Sequence, residues 1–283
     1  MTSNHLHIRP ARPDDRAAVV EMVATVWDGT DYLPKVWDDW LADPGGPLLI
    51  GELAQRPVAV AKLSALGNGE DWFEGLRVAP EQRGKGFARV MVQRCVELSR
   101  ERRAHVLRYL TSGENVTMQR IALDLGFQLI YAPVWYRATP LADGPAVSIV
   151  PPDRLPTLMN DIAKSALLAQ TGGLYTYDWC TFELTEERLR THVARGEVWA
   201  LADADAWAIV MPNQRRGVWL AHIEAAGGGV VQQIGAAIRA QLAPTDEVYV
   251  RALLPSTAPH VRALLAAGFS DDGHQMHIYE LRL

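Results

Sequence analysis

Between residues 74 and 88 a carboxylate stands next to a turn built to hold an anion. Glu74 lies in a short apolar run that breaks at Pro80, and Arg83, Gly84, Lys85 and Gly86 then precede a segment of helical periodicity starting at Phe87. The two glycines carry no Cβ, so the backbone there can turn its N–H groups toward a ligand. The following helix adds the positive end of its macrodipole. Arg83 and Lys85 bring full charges to the same place. A phosphate or pyrophosphate is the group this chemistry suits.

Two common nucleotide loops do not fit. A dinucleotide loop needs a third glycine where Arg89 stands, and an acidic residue ending a strand about 20 positions on, which is missing. A Walker loop needs Ser or Thr after Lys85, where Gly86 stands. An ordinary glycine turn between a strand and a helix remains open at this level.

The elements that must position the turn read as an α/β alternation. Strands are expected at 6–9, 48–52, 57–65, 71–78 and 106–110, with helices at 14–26, 33–41, 87–100 and 115–125. The helix from Phe87 has an apolar stripe at Met91, Cys95 and Leu98 widened by Val92 and Val96, and Gly126 stops the later one as a left-handed cap. Such an order predicts a mixed sheet with helices on both faces. The pattern lapses into turn residues around Thr139 to Pro145, which divides the chain into expected domains at 1–140 and 147–283.

The second half repeats the first at an offset of 142 residues. Gly126-Phe127 matches Gly268-Phe269, Gly86 matches Gly228, 106–110 matches 248–252, and Asn115 matches Thr257. The repeat predicts strands at 218–224 and 248–252, a long helix at 230–242 and a last helix at 261–267. Its loop keeps Gly227 to Gly229, but Ala225 and Gly227 replace Arg83 and Lys85. One working site, in the first half, is the expectation.

Composition narrows the partners. The 283 residues are 48% hydrophobic, with a formal charge of −5 and basic residues scattered among acidic ones, which argues against nucleic acid. Cys95 and Cys180 form no disulfide framework or metal motif. His274 and His277 would face opposite ways on a strand, and His192, His222 and His260 lack partners at ligand spacing, so no metal is expected. No run approaches the roughly 18 apolar residues of a membrane span, and the first residues carry no apolar leader, which points to a cytoplasmic protein acting on a small molecule. Oligomeric state is left open.

The segment Val78-x-Pro80-x-x-Arg83-Gly84-Lys85-Gly86-Phe87-Ala88 resembles the signature of the GNAT superfamily of acyl-CoA-dependent N-acyltransferases, and Asn115 with Leu125-Gly126-Phe127 resembles its next helix. The resemblance implies two tandem GNAT-like domains, the second degenerate, and acetyl-CoA as co-substrate. It implies that Leu76, Arg77 and Val78 hold the pantetheine arm, that Arg83, Gly84, Lys85, Gly86, Phe87 and Ala88 hold the pyrophosphate, and that Asn115 contributes from the later helix. Further segments, Asp31-Tyr32-Leu33-Pro34, Trp40-Leu41, Gly172-Gly173 and Asp178-Trp179, resemble the branch of the superfamily that acetylates free histidine. Asp31, Tyr32, Asp178 and Trp179 are therefore the expected acceptor contacts.

Amide formation sets the remaining demands. An α-ammonium, with an ordinary pKa of about 7.7 to 8.0, must lose a proton before attack. Glu74 is the candidate base, and strand alternation would put it on the same face as Leu76. Pairing of Glu74 with Arg77 or Arg108 is the competing role. The backbone N–H of Leu76 or Val78 would polarise the thioester carbonyl. The superfamily's usual thiolate-protonating Tyr falls at Ala122, leaving Tyr131, Tyr136 or a residue from the second domain as substitutes, among which the sequence does not choose. Asp31 could instead cap a helix, and Tyr175, Tyr177 and Phe182 suit core packing. The expected activity is N-acetylation of a free amino acid, histidine first. Amino-sugar acetylation and acyl-CoA sensing without turnover are the alternatives.

Overall fold

The computed structural model describes residues 5–202, 205–212, 217–242 and 249–283. The first four residues, read above for a leader, and Val248, which opens an expected strand, lie outside the described residues. Contacts divide the chain into two units: Met1–Tyr109 with Val116–Gln128 and Tyr279–Leu283, and Leu110–Asn115 with Leu129–Ile278.

In the first unit the chain runs β1 (His7–Pro10), α1 (Arg16–Val23), α2 (Leu33–Ala42), β2 (Leu48–Leu53), β3 (Arg56–Gly67), β4 (Glu70–Val78), α3 (Phe87–Glu101), β5 (Val106–Ser112) and α4 (Val116–Asp124). The strands lie in that order, antiparallel from β1 to β4, and β4 and β5 are parallel. Alternation along β3 divides the core. Val58 and Val60 pack with Val19, Leu33 and Trp37 under α1 and α2, while Ala59, Ala61 and Leu63 pack with Met91, Val92 and Cys95 under α3. The helices on both faces agree with the sequence pattern.

The first helix is shorter than its periodicity suggests. It ends at Val23, where the Ala24 N–H bonds back to Glu21, and Trp27 and Asp28 both take left-handed backbone angles. Such angles are uncommon for residues other than glycine.

The division into units does not follow the break expected at 140–147. The last strand, β15 (Ser270–Arg282), ends inside the first unit, where Tyr279 stacks on Tyr109 at 5.3 Å and Leu281 joins the α3 core. Glu280 there bonds Arg108 at 2.7 Å, and the same guanidinium pairs with Glu70. Burial of that pair and the packing of those two side chains tie the C-terminus to the first unit.

The chain between holds β6 (Gln128–Tyr131), β7 (Pro133–Ala138), β8 (Val147–Ile149), α5 (Leu155–Ile162), α6 (Ala166–Thr171), β9 (Leu174–Tyr177), β10 (Cys180–Glu183), α7 (Glu186–Ala194), β11 (Val198–Leu201), β12 (Ala206–Pro212), β13 (Gly217–Ala225), α8 (Gly228–Ala240), β14 (Tyr249–Pro255) and α9 (Val261–Ala266). The repeat recurs in its hydrogen bonds. Phe127 N–H donates to Ala122 O and Gly126 N–H to Leu123 O; 142 residues later Phe269 donates to Leu264 and Gly268 to Leu265. Gly126 and Gly268 have φ of 85° and 84°. Among the described residues, both units also carry a parallel strand pair joined over three positions, Glu70 to Trp72 with Val106 to Arg108 and Gly217 to Trp219 with Tyr249 to Arg251. C-terminal to those positions the strands of each pair separate.

Candidate active site

The central strand of the first unit changes its alternation at the site. On β3 and β4, Lys62 lies opposite Glu74 and Val60 opposite Arg77, so Gly75 and Leu76 together face Ala61 alone. This is a β-bulge, with Gly75 at a φ of 66°. A Cβ on Gly75 would lie 2.5 Å from the Trp40 ring, so both the backbone angle and the close approach require glycine.

The bulge overturns the expected alignment of Glu74 with Leu76. Residues directly opposite on antiparallel strands share a face. Glu74 therefore lies with Lys62 on the α1–α2 side, while Leu76 and Val78 pack against the α3 core. The buried Lys62 bonds Asp43 at 2.6 Å and the Gly46 carbonyl. Arg77 also turns to the α1–α2 side. Its guanidinium carbon lies 4.5 Å from the Trp27 ring centre and 5.5 Å from that of Tyr32. Arg77 was expected with the pantetheine contacts, but its side chain stands on the other face from theirs.

Both predicted competitors have other carboxylate partners: Arg77 pairs with Asp31 at 2.7 Å, and Arg108 with Glu70 and Glu280. The Glu74 charge acts on Tyr32. Burial pushes the Tyr32 phenol up to about 12; the Glu74 charge adds to the shift and Arg77 opposes it. Asp31 is 5% exposed, and its carboxylate accepts the Leu33 N–H at 2.9 Å while pairing with Arg77. It caps α2 and holds Arg77, so it does not stand open to an incoming ammonium as expected. Trp40 meets Tyr32 edge-on at 5.9 Å, and Trp27 lies 6.1 Å from it. Sequence reading missed Trp27 altogether, because nothing in spacing marks a left-handed pair in the middle of a loop.

The anion turn has the expected form. A 3-10 turn over Pro80–Gln82 leads into Arg83, and Gly84 and Gly86 have φ of 77° and 82°. No atom lies within 4 Å of a Cβ built on either, so their surroundings are open. Gly86 caps α3, and its carbonyl accepts the Val90 N–H, which leaves the amides of the first turn without intrahelical partners. Arg83 bonds the Val78 carbonyl at 3.3 Å and Lys85 bonds Gln82 at 2.8 Å, both on the surface. A cradle of exposed amides with two cations beside it fits a pyrophosphate.

The remaining predicted residues fall in the second unit or the core. Asn115 precedes α4 and donates to the Thr111 hydroxyl at 3.1 Å. Ala122 is fully buried in the α3 core. Tyr131 is hydrogen-bonded to Thr176 at 2.6 Å, and Tyr136 is 1% exposed with its phenol raised by burial, so both candidate acids are spent on packing. Asp178 and Trp179, both left-handed, form the two-residue turn between β9 and β10. Trp179 meets Trp135 at 4.6 Å and is 44% exposed. Tyr175, Tyr177 and Phe182 stack together beside His192, as core packing predicts. His192 bridges the Tyr175 hydroxyl and Glu197 at 2.7 Å each, and His222 bonds Glu224 at 2.8 Å. Among the described residues, no group of three potential ligands is placed to hold a metal ion.

Residues 16–127 match the model of the acetyltransferase (GNAT) family. A histidine N-acetyltransferase of Oreochromis niloticus is 33% identical over 98 residues, which is 34% of this chain and 29% of that protein. One from Scomber australasicus is 33% identical over 94 residues, 33% of this chain and 28% of that protein. The chain thus matches under a third of the length of these curated relatives. A crystal structure of a GCN5-related N-acetyltransferase from Sphaerobacter thermophilus superposes over 99% of this chain and 96% of that one, with a TM-score of 0.66 at 14% identity. The segment that holds the bulge, the glycine turn and α3 thus matches a GNAT acetyltransferase domain, and the fold of the whole chain is similar to that of a GCN5-related N-acetyltransferase.

Proposed function

We propose that this protein is an acetyl-CoA-dependent N-acetyltransferase whose acceptor is the amine of a free amino acid, histidine being the first to test. The observation that carries the reading is the bulge on β4. It sets Glu74 on one face of the strand, immediately before the residues whose other face leads to the anion cradle. The similarity to histidine N-acetyltransferases over about a third of the chain supports the acceptor.

Acetyl-CoA supplies an activated acyl thioester. The amides from Arg83 to Ala88 bind its pyrophosphate, and the Arg83 and Lys85 charges add to them. The backbone of Leu76 and Val78 runs beside the pantetheine. A β4 N–H at the bulge polarises the carbonyl being attacked. Glu74 takes the proton from the acceptor ammonium, directly or through water, and the freed nitrogen lone pair forms the C–N bond as the C–S bond breaks. The sulfur, whose thiol has an ordinary pKa of about 8.5, leaves as thiolate, and the second proton that the nitrogen sheds on becoming an amide passes to it or to water. The buried Ala122 supplies no acid for that step, so the rate rests on Glu74 and on positioning. Tyr32, just ahead of α2, lines the acceptor side.

The test is thiol release from acetyl-CoA across the 20 amino acids and a few aminoglycosides. Turnover with an amino acid supports the reading. Turnover with aminoglycosides alone replaces the acceptor, and tight acetyl-CoA binding without turnover makes the chain a sensor.

A further inference from the structure

The second unit has a cleft of its own, about 320 Å³ in volume. Arg137, Ala138 and Thr139 line it at the end of β7, Tyr249 at the start of β14, with Gly268 after α9 and Ser270 opening β15. Among the described residues, no acidic side chain lines it. Register concentrates positive charge there. Arg137 lies directly opposite Arg251 on β14 and Ser270 on β15, so all three share a face, and two like charges set against each other across a ladder destabilise it. Asp271, the acid next along β15, stands opposite Tyr136 on the other face.

A third arginine stands behind the wall. Arg239 of α8 is 8% exposed, and its Nε and Nη1 donate to the carbonyls of Thr139 and Ala267. Its Nη2 lies 3.6 Å from where a Cβ on Gly268 would stand, so the guanidinium backs onto the cleft. The two carbonyls take two of its five N–H groups. They soften the cost of that buried charge without neutralising it. Burial pushes the Arg239 pKa down, and among the described residues neither Arg239 nor Arg137 has an ion-pair partner. The buried Arg108, by contrast, is held between Glu70 and Glu280.

We propose that this cleft binds a small molecule through its oxyanion group, a phosphate or a carboxylate, held by the Arg137 guanidinium in the field of Arg251 and Arg239. The anion supplies the counter-charge that these arginines lack in the cleft wall, and a guanidinium can meet either group with two parallel N–H bonds. The Thr139 hydroxyl stands beside it, and Ser270, whose hydroxyl meets the Arg137 carbonyl at 3.3 Å, closes the row. The volume lies at the lower end of the roughly 300–1,000 Å³ of small-molecule pockets, so there is room for a body behind the charged group. This site belongs to the second unit and does not depend on acetyl transfer in the first.

The experiment is titration calorimetry of the full chain with inorganic phosphate and, separately, with citrate, at low ionic strength. Arg137 is exposed, so Arg137→Gln leaves the core untouched. It should weaken the bound anion about 10-fold or more, the loss of a charge-assisted hydrogen bond. Arg83→Ala, which takes a cation from the glycine turn of the first unit, should leave that binding as it is. Tighter phosphate than citrate identifies a phosphoryl ligand, and the reverse a carboxylate; either result, with the Arg137 dependence, supports the site. An affinity that falls in Arg83→Ala and holds in Arg137→Gln puts the anion in the glycine turn and overturns the proposal. So does an affinity that neither substitution changes, or the failure of both anions to bind at about 10 mM.

Discussion

Gly86→Ala separates the anion cradle from the ordinary cost of a left-handed residue. An L-residue forced to positive φ costs about 1–2 kcal/mol, and the open space around Gly86 adds no clash to that. Gly67 provides the matched control: its φ is 84°, no atom lies within 4 Å of its would-be Cβ, and it sits at the end of β3 away from the turn. Gly67→Ala and Gly86→Ala should therefore lose similar stability, about 1–2 kcal/mol each, in urea unfolding. Affinity should part them. If the Gly86 substitution displaces one amide from a pyrophosphate oxygen, a charged hydrogen bond of about 1.5–3 kcal/mol is lost, or roughly 10- to 150-fold in Kd. Titration calorimetry with acetyl-CoA reads that change directly. Equal affinities for the two variants would show that the turn does not hold the co-substrate, whatever the stability data say.

Four further results follow from the site and its supports. Glu74→Gln should lower kcat about 10²- to 10⁴-fold and remove the acid limb of the pH–rate profile; an unchanged profile moves the base elsewhere. Gly75→Ala puts a methyl 2.5 Å from the Trp40 ring at a φ of 66°, and should cost about 1–3 kcal/mol in denaturation and most of the transfer rate, because the bulge must reshape. Arg108→Met removes the buried cation that Glu70 and Glu280 share, leaving Glu280 its exposed partner Arg282, which should cost about 3–5 kcal/mol in urea unfolding while leaving the anion turn in place. Burial holds the His260 imidazole below its usual value against the opposing pull of Glu224, so the unfolded chain binds the extra proton first. Its contribution to stability is present above about pH 6.5 and declines as the pH falls below that, a slope that His260→Asn should reduce in urea midpoints taken between pH 7.5 and 5.5.

Much of the site was legible in the sequence because its causes are local. Gly84 and Gly86 announce a left-handed turn before a helix, and both have the angles that glycine is there to supply. The caps at Gly126 and Gly268 were legible for the same reason, and their matching bonds support the 142-residue repeat. Residues whose roles depend on register were not legible. A single shared partner at Ala61 moves Arg77 to the face of Glu74, and no pattern in Glu70 to Val78 marks where that occurs. Asp31 illustrates the same limit. Its short spacing to Leu33 shows the cap, but its ion pair with Arg77 spans 46 residues. The division into units escaped notice too, since β15 belongs to both and only long-range packing of Tyr279 and Leu281 decides where it ends.

The repeated fold shows which features of the first unit belong to architecture and which to chemistry. In the second unit β13 and β14 separate after Trp219 and Arg251, just as β4 and β5 separate after Trp72 and Arg108. The cavity found beside the second separation is only about 10 Å³, walled by Leu174 and Tyr175 of β9 and by Ala221 and Leu253. That is room for no more than one water. The loop ahead of α8 has lost both cations, and β13 continues opposite β12 with its one register shift at Ile209 and Val210 rather than beside a helix-opening basic turn. What survives in both units is the capped final helix, the parallel pair and a register shift on the strand before the long helix, opposite Ala61 in one and between Ile209 and Val210 in the other. Glu74 and the charged glycine turn occur together in the first unit, as they must if catalysis and co-substrate binding depend on one strand and the turn that follows it.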